Sequence, residues 1–201
     1  MIQLGIDEVG RGAWAGPIVF VAVGFLQPVN ATDFSKIFIR DSKLLSARQR
    51  EKADAVLRKY ALIYLQYLSS ERIDSIGLSK GLAECIELLV KKAIKGLPIG
   101  AEYKFWIDGK RACTLPIEHE FIIKGDVIMP IISAASIIAK VERDAHMVSL
   151  AQVYPQYGFE VHKGYGTAKH IAAIKKNGIC NAHRLSYRPI GECLNYPQHL
   201  V

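Results

Sequence analysis

One stretch constrains this chain more than any other: "GIDEVGRGAWAGP", residues 5–17. It begins apolar, runs through the adjacent acids Asp7 and Glu8, and then carries glycines at 10, 12 and 16. Glycine-rich loops that cradle a dinucleotide lead from a strand into a helix, whose N-terminus holds the pyrophosphate. Here Pro17 and the run "IVFVAV" follow instead, β-branched and apolar, which predicts a buried second strand. The loop therefore joins two strands, as a hairpin. Two carboxylates beside it would also repel an anionic ligand. Both arguments count against a dinucleotide site.

The rest of the chain alternates between the two periodicities. Ser46 and Gln49 stand at the spacing of a capping box and predict a helix to about residue 59. A strand is expected over 60–68, a helix over 79–95 ended by Gly96 and Pro98, and short strands over 103–107 and 120–123. The clearest helix is 131–150. Ile131, Ala134, Ile138, Val141, Ala145 and Val148 form its predicted apolar stripe, with Ser133, Ser136, Lys140 and Asp144 opposite, on solvent or facing a substrate. A last helix is expected over 167–176. A hairpin followed by alternating strands and helices predicts an α/β fold: a mixed sheet flanked by helices, in one domain over 1–201, with a C-terminal helical cap from about residue 151.

The totals restrict the function classes. The 201 residues carry a net charge of +7, a basic excess that fits a polyanionic partner. Residues 151–201 hold six Lys/Arg against two acids, so +4 of the +7 lies there, with His162, His170, His183 and His199. Four scattered cysteines make no C-x-x-C pair, so no zinc site is expected and a reduced, cytoplasmic setting is. No signal peptide is expected, and the apolar runs are too short to span a bilayer.

Asp108 closes the strand at 103–107 and Asp126 follows the one at 120–123. Taken singly, acids after strands are ordinary turn residues. Carboxylates at the ends of neighbouring strands, with Asp7 and Glu8, can instead converge. Their repulsion then calls for a divalent cation, and hard oxygen donors select Mg²⁺ or Mn²⁺.

At these residues the chain resembles the ribonuclease HII family, almost end to end. The resemblance is carried by "GIDEVGRG" (5–12), "AGP" (15–17), "DSKLLSARQRE" (41–51), "IDG" (107–109) and "KGD" (124–126). It continues in "ISAASIIAKVERD" (132–144), "YPQYGFEVHKGYGT" (154–167) and "HRLSYRP" (183–189). It implies a ribonuclease H-like fold and an endoribonuclease that cleaves RNA in RNA–DNA hybrids and at single ribonucleotides embedded in duplex DNA. The implied cut lies 5′ of the ribonucleotide, gives 3′-hydroxyl and 5′-phosphate ends, and uses two-metal-ion hydrolysis. Asp7, Glu8, Asp108 and Asp126 would be catalytic and metal-binding. Gly10, Arg11, Gly12 and Tyr165 would read the ribonucleotide, and Tyr165 would pack on the neighbouring deoxyribose. Lys43, Lys140, Lys163, Arg184 and Arg188 are candidate phosphate contacts. His162 and His183 are read as surface or phosphate-adjacent residues. A monomer is expected. The sister family, ribonuclease HIII, usually carries an extra N-terminal domain, and with a strand starting at residue 2 none is expected here. A nucleic-acid-binding protein without catalysis is the reading from another class.

Overall fold

The computed structural model describes residues 1–26 and 45–194. Lys43, with Asp41, Ser42 and Leu44 of the "DSKLLSARQRE" motif, lies outside the described residues. The described strands are β1 (Ile2–Val9), β2 (Ile18–Gly24), β3 (Leu62–Leu68), β4 (Tyr103–Asp108) and β5 (His119–Ile122). They form a five-stranded sheet in the order β3-β2-β1-β4-β5. β1 runs antiparallel to β2, the expected hairpin, and parallel to β4, which is parallel to β5. The described helices are α1 (Ala47–Tyr60), α2 (Ser70–Ile76), α3 (Leu78–Lys95), α4 (Gly125–Ile128), α5 (Pro130–Val153), α6 (Phe159–His162), α7 (Ala168–Asn177) and α8 (Arg188–Leu194). The mixed sheet flanked by helices is the architecture the periodicities imply.

The chain divides into two compact units. One comprises Met1–Val9, Val19–Tyr67 and Leu82–Glu142; the other comprises Gly10–Ile18, Leu68–Gly81 and Arg143–Val201.

The first unit holds most of the sheet. Every residue of β2 is buried, which is why its sequence is continuously apolar rather than alternating. Val19, Val21 and Val23 pack in one cluster with Ala53 and Leu57 of α1 and with Ala134, Ala135 and Ile138 of α5. Each buried branched side chain contributes roughly 1.5–3 kcal/mol. The capping box forms as read: Ser46 Oγ accepts from Gln49 N at 3.3 Å, and Gln49 Oε1 accepts from Ser46 N at 2.8 Å. The helix then runs one residue further than expected, so Tyr60 belongs to α1 and β3 starts at Leu62.

The second unit has its own apolar cluster. Ala15 of the glycine-rich loop packs there with Met147, Ala151, Tyr157, Phe159, Ile174, Ala182 and Ile190. Helix α2 has no counterpart in the sequence reading. It is only seven residues long, too short to show a period, yet its signals are present: the Ser69 side chain accepts from Arg72 N, and Gly77 ends it at φ 83°. It supplies Asp74, whose carboxylate accepts from the backbone N–H groups of Leu185 and Ser186, both at 2.8 Å.

The stripe predicted for α5 is wrong in detail. Ala145 and Val148 are exposed, whereas Ser133 and Ser136, assigned to solvent or substrate, are 4% and 3% exposed. The buried line runs Ile132, Ala135, Ala139, Arg143, Met147. The first turns of α5 are buried all round, so hydropathy there has no contrast from which to read a face.

Candidate active site

Asp7 sits near the end of β1, opposite Val21, and is 5% exposed. It lies close to the first turns of α5. At Gly5, two residues earlier, a Cβ would stand 2.4 Å from the Ile131 carbonyl oxygen, so only glycine admits the helix backbone at that distance. That approach brings Ser136 to Asp7, where its side chain hydrogen-bonds the carboxyl. The Glu8 N–H donates to Asp7 Oδ1 at 2.7 Å. These bonds favour the carboxylate, but burial outweighs them, and Glu8 and Asp108 add repulsion. Asp7 is thereby held well above the usual carboxylate range.

Asp108 is the last residue of β4. The "KGD" segment explains its surroundings. Lys124 turns the chain through the left-handed region at φ 59°, and the next amide, Gly125 N–H, donates to Asp108 Oδ1 at 2.6 Å. A Cβ on Gly125 would stand 2.5 Å from Ile132 Cδ1 and 3.2 Å from that same Oδ1. Asp126 N–H points to Oδ1 too, at 3.4 Å, and Asp126 is 6% exposed. Burial raises the Asp108 carboxyl, and Asp126 raises it further. The acids are thus coupled in a chain: Glu8 to Asp7, Asp7 to Asp108, Asp108 to Asp126. Among the described residues, no three His, Cys, Asp or Glu side chains stand as a ready metal cluster. All the donors are hard carboxylate oxygens, and two of the four acids, Asp7 and Asp126, are 5% and 6% exposed. That donor set fits Mg²⁺ or Mn²⁺. Lys140, half-buried on α5, belongs to the same unit.

The glycine-rich loop and Tyr165 belong to the second unit. The loop is tied to the Tyr165 turn by backbone: Trp14 N and Ala15 N donate to Gly164 O at 2.8 and 3.3 Å. Arg143 is fully buried beneath them. Its Nε donates to Pro17 O at 3.0 Å, its Nη2 to Ala15 O at 3.2 Å, and its guanidinium lies 5.2 Å from the Tyr165 ring centroid. Nη1 is buried without a hydrogen-bond partner. Burial is the main reason its pKa falls to about 10. Gly10, at φ 103°, has no room for a Cβ: one would stand 2.0 Å from Arg143 Nε. Gly12 has open space around its Cβ position, and Arg11 and Gly12 are both exposed. Tyr165 is half-exposed.

Two expectations need correction. Arg184 is not a surface phosphate contact. It is fully buried, with Nη2 and Nε donating to Gly16 O at 2.7 and 3.0 Å and Nη1 donating to Arg11 O at 3.1 Å. Its fork is spent on holding the loop. His162 and His183 are not surface residues either. They are 8% and 1% exposed and flank His170, which is 0% exposed. Their polar atoms are satisfied inside: those of Arg184 by carbonyls remote in sequence, those of His162 and His183 largely by backbone within five residues.

The buried histidines give a pH prediction. Burial, with His162 and His183 adding repulsion, lowers His170 from 6.5 to about 4, and burial lowers His183 as well. Below pH 6.5 the unfolded chain then binds more protons than the folded one, so this contribution is complete above 6.5 and is lost toward pH 4. His170→Asn removes one titration. Denaturant midpoints of the wild type should fall more steeply across that window than those of the variant.

Comparison with known proteins gives the family and the fold. The family model for ribonuclease HII matches residues 4–189. A ribonuclease HII of Burkholderia lata is 41% identical over 196 residues, 96% of this chain and 86% of the relative. One of Burkholderia mallei is 42% identical over 195 residues, with the same shares covered. Among solved structures, the ribonuclease H2 of Pyrococcus horikoshii superposes with a TM-score of 0.77 at 25% identity, covering 96% of this chain and 97% of that one. Bst-RNase HIII in complex with Mn²⁺ superposes with a TM-score of 0.80 at 18% identity, covering 96% of this chain and 69% of that one, a likeness of fold.

Proposed function

The chain belongs to the ribonuclease HII family, metal-dependent endoribonucleases acting on the RNA of RNA–DNA hybrids, and on that premise we propose that it also cuts at single ribonucleotides embedded in duplex DNA. The cut falls on the 5′ side of the ribonucleotide and leaves a 3′-hydroxyl and a 5′-phosphate, by two-metal-ion hydrolysis. The observation that carries this reading is the chain of coupled acids, Glu8–Asp7–Asp108–Asp126, within one unit.

Asp7, Glu8, Asp108 and Asp126 would hold the ions. Bound there, Mg²⁺ or Mn²⁺ neutralises the carboxylates and supplies the Lewis acidity for attack of water on the phosphorus. The protein's part is orientation. Glu8 N–H and Ser136 fix the Asp7 carboxylate, and Gly125 N–H fixes that of Asp108. No histidine is required as a base, and the three buried imidazoles belong to the other unit. There, the open approach at Gly12 lets backbone groups reach a 2′-hydroxyl, the group that separates RNA from DNA at one nucleotide. Tyr165 packs on the adjoining deoxyribose. Arg11 and Lys140 contact phosphate, and the basic excess makes binding salt-dependent. This assigns the enzyme to ribonucleotide excision in the cytoplasm, acting as a monomer. No described helix is long and apolar enough to cross a membrane.

The test uses two substrates: a DNA duplex with one ribonucleotide and a hybrid with a long RNA tract. Both are cut with Mg²⁺ or Mn²⁺, and neither with excess chelator. Cutting of the long tract alone would favour the HIII-type specificity. Binding that survives chelation, with no cleavage under any metal, would leave a binding protein. Tyr165→Ala should lower turnover at the single ribonucleotide by roughly tenfold or more, and much less on the long hybrid. Equal loss on both would contradict its role.

A further inference from the structure

Behind the Tyr165 turn lies a stack of three imidazoles that the hydrolytic chemistry does not use. His162 and His170 stack with ring centroids 4.4 Å apart, and His170 and His183 with centroids 5.2 Å apart. Phe159 presents its edge or face to all three. Each ring is tied to backbone, and the backbone N–H donors select one placement of protons. His183 Nδ1 lies 3.2 Å from the Cys180 carbonyl but closer, at 2.9 Å, to Cys180 N–H, whose donation needs an unprotonated Nδ1, so the His183 proton is placed on Nε2. That Nε2–H donates to His170 Nε2 at 3.1 Å. The His170 proton is thereby confined to Nδ1, which donates to the Tyr165 carbonyl at 3.1 Å. His162 closes the other side: Gly164 N–H donates to its Nδ1 at 3.2 Å, and its Nε2–H donates to Tyr157 O at 2.7 Å. The amide and the carbonyl on either side of the Gly164–Tyr165 peptide are therefore both held by imidazoles.

A turn flanked by two glycines needs such restraint. Gly164 is at φ 79°, and glycine gives the backbone freedom that a tyrosine meant to meet a sugar in one orientation must not have. Thr167 N–H also donates to the Tyr165 carbonyl, at 2.8 Å, so that oxygen is held from two directions.

We propose that His170 is a positioning residue for Tyr165: its Nδ1–H, confined to that tautomer by His183, fixes the turn that presents the tyrosine ring to a single ribonucleotide. The inference rests on the reading of Tyr165 given above. It extends the specificity determinant from the exposed ring to a buried relay running Cys180 N–H, His183, His170, Tyr165 C=O.

The test compares His170→Asn, His170→Gln and Tyr165→Ala on the two substrates. Asn keeps an N–H near the position of Nδ1; Gln places one near Nε2. His170→Asn should keep the ratio of single-ribonucleotide to long-hybrid turnover within about threefold of wild type, and His170→Gln should lower it roughly tenfold, through kcat rather than KM. In a Tyr165→Ala background His170→Gln should move the ratio no further. A ratio that responds to Tyr165→Ala but not to His170→Gln overturns the inference alone. Equal losses on both substrates, in both backgrounds, do the same and mark His170 as merely structural. A ratio unmoved by Tyr165→Ala overturns the reading of Tyr165, and the inference with it. Nitrogen NMR of the wild-type histidine side chains supplies a check that no variant's folding can obscure. His170 must be the Nδ1–H tautomer; an Nε2–H tautomer overturns the proposal.

Discussion

Asp7→Asn should abolish cleavage on both substrates, lowering turnover by roughly a thousandfold or more, while binding of the hybrid survives. The same variant should melt higher than the wild type in chelator at neutral pH. Both results come from one cause. Asp7 is 5% exposed and lies beside Glu8 and Asp108, so burial and like charge act together on its ionised form. Its folded pKa is raised above the unfolded value. In the absence of cations this contribution to stability is largest at low pH and is lost as pH rises through the folded pKa, so the ionised Asp7 strains the metal-free fold at neutral pH. Asn keeps the oxygen that accepts from Glu8 N–H but carries no charge to desolvate. Added Mg²⁺ or Mn²⁺ should raise the melting temperature of the wild type more than that of Asp7→Asn, since a ligand of the native state stabilises it by RT ln(1 + [L]/Kd) and the variant has lost a ligating charge. Thermal scans with and without the ion, beside the cleavage assay, check both halves. An Asp7→Asn protein that still cuts would remove the acid chain from the mechanism. One that melts at the wild-type temperature in chelator would mean that no electrostatic strain resides at Asp7.

Residues whose role is local were legible in the sequence. The hairpin followed from a glycine loop ending in β-branched residues, α1 from Ser46 and Gln49, and the strand-end acids from the turn pairs beside them. Ser136, Arg143 and His170 were not legible, for a common reason. Each is a polar residue buried by partners that no single element's period reveals: Ser136 by Asp7 and Arg143 by Ala15 and Pro17, far away in sequence, and His170 by His183 and the Tyr165 carbonyl on neighbouring turns. A hydropathy period scores such residues as solvent-facing, which is how the α5 stripe was rotated. Arg143 falls on the true buried line of α5 between Ala139 and Met147, where a cation argues against burial until its carbonyl acceptors are seen. The resemblance in "ISAASIIAKVERD" carried both Ser136 and Arg143, but it assigned neither of them a role.

Gly10 and Gly12 were assigned one purpose, close approach to a sugar, and the structure separates them. Gly10→Ala should destabilise the protein by about 2–4 kcal/mol, from two effects that add: a positive φ of 103°, and a Cβ placed 2.0 Å from Arg143 Nε. Arg143 has little freedom to retreat. Its fork is committed to Pro17 O and Ala15 O, and a shift would strand those carbonyls in a buried site. The damage should therefore spread along residues 13–17 to Gly164, which accepts from Trp14 N and Ala15 N. Gly12→Ala should change stability by less than about 0.5 kcal/mol, since no atom lies within 4 Å of its added Cβ and its φ lies outside the region that favours glycine. Yet Gly12→Ala should weaken cleavage at a single ribonucleotide, because the open space that tolerates the methyl group is the space proposed for the sugar. Urea unfolding of the two variants, read beside their kcat and KM, discriminates between the roles. Gly10 is glycine for the fold and Gly12 for the substrate only if the first loses stability and the second loses activity alone. A Gly12→Ala protein with wild-type kinetics would move the ribose-reading backbone elsewhere in the loop.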